Sequence, residues 1–144
     1  MADDLHGFYL EDLSVGMSAS YAKTVTEADV ILFAGISGDD NPVHINEEFA
    51  RETMFGGRIV HGMFSGALIS CVAGTRLPGP GAIYVKQELK FKAPVRIGDT
   101  VTATCRISEI VPERRRVVME TVCTVKGEMV VDGSATFMVD RRPQ

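Results

Sequence analysis

The 144-residue sequence has no apolar run that approaches the roughly 20 residues a bilayer-spanning helix requires. Its most apolar stretch, Met63 to Val72, is broken by Ser65, Gly66 and Ser70 and ends before Arg76, which predicts a core helix. Cysteine is scarce. Cys71, Cys105 and Cys123 are odd in number, lack CxxC spacing and sit among apolar residues, so a disulfide framework is excluded and reduced core thiols of a cytoplasmic protein are expected. Basic charge is also in deficit: 15 Lys and Arg against 19 Asp and Glu leave a formal charge of -4, which on average repels the phosphate backbone of a nucleic acid. The acidic start, Met1-Ala2-Asp3-Asp4-Leu5-His6, has no basic segment leading into an apolar one, so no export signal is expected. There is no internal repeat, low-complexity tract or linker. Gly79-Pro80-Gly81 lacks the GxGxxG spacing of a dinucleotide site and reads as a turn. Met63-Phe64-Ser65-Gly66 lacks the first glycine of a hydrolase nucleophile elbow.

What is present fits one globular domain spanning 1–144, with 1–12 as a mobile N-terminal segment: 45% of residues are hydrophobic and 24% charged. Residues 19–25 predict a strand. Thr26-Glu27-Ala28-Asp29 has the form of a capping box and opens a helix to about Ala34. Residues 35–46, rich in Gly, Asp, Asn and Pro, predict a loop, and Asn46 caps a short helix to about Thr53. From Gly62 to about Leu77 the chain is apolar nearly all round, which requires protein on every side. Strands follow at 83–91, 100–111, 115–125 and 129–139, with Lys126-Gly127-Glu128 as a hairpin turn. In the first of these, Ile83, Val85, Leu89 and Phe91 alternate with Lys86, Glu88 and Lys90, so the odd positions are expected on the dry face. The last three strands make an antiparallel meander. A sheet with one dry face curled around one long apolar helix buries both, and that α+β arrangement is the hot-dog fold.

Polar groups concentrate in two places. In Ser37-Gly38-Asp39-Asp40-Asn41-Pro42-Val43-His44 an acid and an imidazole stand five apart on a turn, where they can converge to hold a water and exchange protons with it; alternatively Asp39 only caps the turn. In Ile59-Val60-His61-Gly62-Met63 the chain enters the apolar helix. The Gly62 amide, with no intrahelical partner, can receive a developing oxyanion, or the glycine serves only close packing. His61 reads as a core or supporting histidine. His44, His61 and Cys71 are too scattered for a zinc set, so no metal is expected.

The run from Phe33 to His44 (FAGISGDDNPVH), followed after five residues by Ala50, resembles the motif of the (R)-specific enoyl-CoA hydratases in the MaoC-like dehydratase family. Arg58-Ile59-Val60-His61-Gly62-Met63 resembles that family's approach to its central helix. The likeness runs from about Leu13 to Val139 and includes the stretches 77–84 and 91–99. It implies reversible syn hydration of a trans-2-enoyl-CoA to an (R)-3-hydroxyacyl-CoA without a cofactor. By the same resemblance Asp39 and His44 are the catalytic pair, with the choice of formal base left open. Asn41 braces the loop, Gly62 donates its amide to the thioester oxygen, and Ser70 supports the aspartate.

Competing functions are a 3-hydroxyacyl-[acyl carrier protein] dehydratase, a hot-dog thioesterase, and a non-catalytic acyl-thioester-binding module. Lys86, Lys90, Lys92 and Arg96, or the triplet Arg114-Arg115-Arg116, could attract the phosphates of coenzyme A or an acidic carrier protein. Gln87 interrupts a dry strand face and either lines the acyl pocket or marks where the sheet leaves the helix. Exposed sheet edges, and the resemblance, imply a homodimer or higher homo-oligomer.

Overall fold

In the computed structural model, which describes residues 3–144, the central helix α4 spans Gly62–Thr75. It buries Phe64, Leu68, Ile69, Val72 and Ala73 against Val101, Ala103, Cys105 and Ile107 of β3 (Thr100–Val111) and Val117, Met119 and Cys123 of β4 (Arg116–Val125). Fully hidden side chains such as Ile69 and Ile107 contribute about 1.5–3 kcal/mol each by leaving water. The sheet is antiparallel, in the order β1-β3-β4-β5-β2, with β1 at Ser18–Thr24, β2 at Ile83–Phe91 and β5 at Glu128–Met138. Lys126 (φ 51) and Gly127 (φ 80) close the β4–β5 hairpin; positive φ at two successive residues matches the right-handed twist of the strands. The hot-dog arrangement of sheet and helix is thus present.

Ahead of α4, three short helices lie between β1 and the core helix. The capping box of α1 (Glu27–Ser37) forms as expected: Thr26 Oγ1 accepts from Asp29 N–H at 3.2 Å, and the Asp29 carboxylate accepts from Thr26 N–H at 2.9 Å. Gly38, at φ 78, ends the helix in the left-handed conformation that glycine tolerates best.

The structure departs from the sequence expectations in four places. The stretch 35–46 is not all loop. Helix α1 continues to Ser37, and Asn41 caps a further turn, α2 (Pro42–Ile45), by accepting from Val43 N–H at 3.1 Å, while Pro42 needs no donor at that position. Asn46 caps α3 (Glu47–Arg51) as expected. Strand β2 does not keep strict alternation. A bulge between Tyr84 and Lys86 inserts one residue, so Ile83 and Val85 are each 51% exposed and Tyr84 turns inward onto Phe137. Helix α4 is not enclosed on all sides, since Met63, Ala67, Ser70 and Gly74 form an exposed stripe along it. Finally, the segment expected to be mobile is fastened from Gly7 onward. Gly7 and Phe8 amides donate to Pro80 and Pro78 carbonyls, Leu10 N–H donates to Asp140 O, and Leu10 is buried; residues 1–2 of that segment lie outside the described residues.

Candidate active site

The loop between α1 and α2 and the first turn of α4 meet at one point. His44 is held by two restraints: its position in the one-turn α2, and a bond from Nδ1 to Ile59 O at 2.8 Å. A carbonyl accepts only, so Nδ1 carries the proton and Nε2 presents a lone pair. That Nε2 stands 4.0 Å from Asp39 Oδ2. Burial pulls the imidazole below its ordinary pKa, opposed by the Ile59 bond and reinforced by the neighbouring His61, so the ring is a neutral acceptor near neutrality.

Asp39 is set by its neighbours. Asn41 N–H donates to its Oδ1 at 3.3 Å, and Ser37 Oγ accepts from its backbone N–H at 3.1 Å. His61, 2% exposed, donates from Nε2 to Asp39 O at 2.8 Å and stacks on His44 with ring centroids 3.9 Å apart. It is the prop between the two motifs. Asn41 braces the loop through both its amide and its capping side chain.

Gly62 opens α4, and its amide donates to no acceptor among the described residues. A Cβ there would lie 2.7–2.8 Å from the Phe91 ring, so the bare backbone is also what lets β2 approach. Both readings of this glycine therefore apply. Asp39, His61 and Gly62 line one cavity of about 520 Å³, with Met54, Phe55, Met63 and Phe91 as apolar wall and Lys92 at its edge.

A second cavity of about 360 Å³ is lined by Phe33, Met63, Ser70, Tyr84, Gln87 and Leu89. Met63 belongs to both cavities. Phe33 packs on His61 at 4.8 Å between ring centroids, so the second cavity begins where the catalytic cluster ends.

Not every expected residue arrives. Ser70 lines the second cavity and makes no hydrogen bond to Asp39, whose support comes instead from Asn41 N–H. Gln87 lines the second cavity, as one of its two expectations held. Lys90 pairs with Asp132 in register on the outer side of β2 and lines neither cavity. Arg96 is occupied internally, its guanidinium donating to Phe55 O (2.7 Å), Gly57 O (3.2 Å) and Arg58 O (3.4 Å). Arg58 likewise donates to His44 O at 2.6 Å and pairs with Glu27 at 2.8 Å. These two arginines hold the segment that carries Phe55 and Ile59, a role hidden in the sequence because their acceptors are backbone carbonyls far along the chain.

The expectation that no metal set exists was framed on Cys71, which is elsewhere. Asp39, His44 and His61 instead offer one ligand atom each within 4.8 Å of one another. Two of the four ring nitrogens are already committed to carbonyls, and lone pairs of stacked rings lie in near-parallel planes, which suits a shared hydrogen-bonded water better than a common ligand centre. The cysteines are free, and burial pushes the Cys105 and Cys123 thiols up to about 12, so they remain protonated.

An α+β hot-dog frame carrying an acid, a neutral imidazole and an unpaired helix-start amide around one cavity defines a lyase-type acyl-thioester site. Comparison with known proteins narrows the class. Residues 14–129 match the model of the MaoC like domain. The chain is 60% identical over 141 residues to an (R)-specific enoyl-CoA hydratase of Rhodospirillum rubrum, covering 98% of both. It is 47% identical over 144 residues to a 3-hydroxybutyryl-CoA dehydratase of Methylorubrum extorquens, covering 100% of this chain and 92% of the relative. Among solved structures, the unliganded R-hydratase PhaJ1 of Pseudomonas aeruginosa superimposes with a TM-score of 0.88 at 43% identity, covering 94% of this chain and 88% of that one. The chain belongs to the MaoC-like dehydratase family.

Proposed function

We propose that this protein is an (R)-specific enoyl-CoA hydratase, adding water reversibly and syn across the 2,3 double bond of a trans-2-enoyl-CoA. The observation that carries this is the imidazole lone pair of His44 facing the Asp39 carboxylate at 4.0 Å, beside a cavity into which the Gly62 amide opens. One water can donate to both side chains. Its oxygen bonds to C3, its proton passes to the Asp39–His44 pair, and C2 receives a proton from the same pair, so hydrogen and oxygen enter on one face. Negative charge passes meanwhile to the thioester oxygen. A fixed donor there is worth about 3–4 kcal/mol, and Gly62 N–H supplies it. Asp39 and His44 act as one coupled unit, and each proton transfer contributes about 10²- to 10⁴-fold. His61 and Asn41 are positioning residues for the pair. The 2-enoyl tail passes Met63 into the second cavity, alongside Ser70, and Lys92 offers a cation to the phosphates of the coenzyme.

The test is hydration of crotonyl-CoA followed by loss of enoyl-thioester absorbance, with chiral analysis of the product. Formation of the (S)-alcohol, or no turnover by the folded protein, removes the proposal. Matched acyl carrier protein substrates separate it from the dehydratase alternative: higher kcat/KM on the carrier protein would transfer the assignment.

Assembly as a homodimer completes this reading. The bare stripe of α4 and the exposed Ile83 and Val85 on edge strand β2 are apolar surfaces that a second copy covers. No helix among the described residues is long and apolar enough to cross a membrane. Three free thiols suit a reducing compartment, on which the cytoplasmic assignment rests.

A further inference from the structure

Hydration chemistry leaves one polar cluster unused, and it is set into the dry face of the sheet. Tyr84 and Gln87 stand three apart on β2, a spacing that places side chains on opposite faces of a regular strand. The bulge between Tyr84 and Lys86 turns both inward. There the Tyr84 hydroxyl donates to Gln87 Oε1. Gln87 Nε2 donates in turn to Thr121 Oγ1 at 2.9 Å, Glu88 O at 2.8 Å and Ser134 O at 3.2 Å. Behind this pair the protein is solid: Thr121 is fully buried, and the Tyr84 ring packs on the buried Phe137 with centroids 4.4 Å apart. In front lies the second cavity, whose other walls include the apolar Phe33, Met63 and Leu89.

We propose that Tyr84 and Gln87 are the specificity-determining end wall of the acyl cavity and hold the protein to short 2-enoyl chains; this inference rests on the hydratase reading above. A hydrocarbon tail gains about fourfold in binding for each methylene placed against an apolar wall. This wall is polar and does not give way. The hydrogens of the Gln87 amide nitrogen are held by acceptors behind it, which fixes Oε1 as the acceptor for Tyr84. A longer tail that pushes Tyr84 aside leaves Oε1 buried without a donor, a loss of about tenfold or more that cancels the gain from one or two methylenes. Burial also pushes the Tyr84 phenol up to about 12, so the hydroxyl stays a donor across the working pH range.

The experiment uses the intact protein and two variants, Tyr84→Phe, which removes only the hydroxyl, and Gln87→Leu, which removes the acceptor at similar volume. For each, kcat/KM is measured on crotonyl-CoA and trans-2-octenoyl-CoA, and Kd on the unreactive butyryl-CoA and octanoyl-CoA. The readout is the long-to-short ratio within each protein, so a general loss of activity cancels. Wild type is expected to favour the four-carbon chains, and both variants to raise the ratio about tenfold. A packing role alone would lower all four values together. An unchanged ratio in both folded variants, or a wild type that already prefers eight carbons, overturns the end wall. If turnover is absent but the binding ratio shifts in the variants, the wall stands and the hydratase reading falls.

Discussion

Replacing Gly62 by alanine tests whether backbone approach at the start of α4 is as tight as the structure shows. The added Cβ would meet Phe91 Cε1 at 2.7 Å and Cδ1 at 2.8 Å. Ordinary carbon–carbon contacts lie near 3.5–4.0 Å, so the ring must retreat by about 1 Å. Phe91 is 56% exposed and can swing, which puts the stability cost toward the lower end of the roughly 1–3 kcal/mol typical of overpacking. The catalytic cost is larger. Phe91 is a wall of the cavity that holds Asp39 and the Gly62 amide, and a misplacement of about 1 Å in such a site costs up to about 10²-fold. We therefore expect Gly62→Ala to lose about 10- to 100-fold in kcat/KM on crotonyl-CoA with an intact fold. Adding Phe91→Ala should restore part of the loss, because the amide donor itself is untouched. Activity equal to wild type in the single variant, or a deeper loss in the double variant, would refute the steric argument.

Other outcomes follow from the same geometry. Asp39→Asn and His44→Ala should each lower kcat by two or more decades, and the double variant should lose little beyond the worse single one, since the pair handles one water as a unit; wild-type-like rates from folded Asp39→Asn protein would exclude the pair. Burial lowers the His44 pKa, so the acid limb of the kcat profile should lie below the ordinary imidazole value of 6.5. The sign for stability follows: between the lowered native value and 6.5 the unfolded chain binds more protons, so stability should rise with pH there and be complete above it, as urea unfolding across pH can check. Arg96→Ala removes a donor from the Phe55, Gly57 and Arg58 carbonyls and should destabilise by about 1–3 kcal/mol in denaturant unfolding. Ile83→Lys on edge strand β2 should weaken self-association in sedimentation velocity while leaving the monomer folded, because the side chain is already 51% exposed.

Much of this protein was determined locally. The capping box Thr26–Asp29, the Asn46 cap and the Lys126-Gly127 hairpin each follow from the chemistry of a few neighbouring residues, and the structure contains all three. The pairing of Asp39 with His44 was legible for the same reason, since only five positions and one proline-capped turn separate them. What only tertiary structure decided are relations between distant segments. One is the tautomer of His44, set by a carbonyl 15 residues away. Another is the service of Arg58 and Arg96 to backbone acceptors. Strict alternation put Ile83 and Val85 inside and gave no role to Tyr84, because a bulge is set by the register against β5 and not by β2 alone. The assignment of Ser70 to Asp39 failed similarly: helical periodicity gives the side of α4 a residue occupies, while which cavity that side meets depends on where Phe33 and Met63 come to rest. Hydrogen bonds and propensities over a few residues are encoded in composition and spacing, whereas contacts across tens of residues exist only once the core has brought their backbones together.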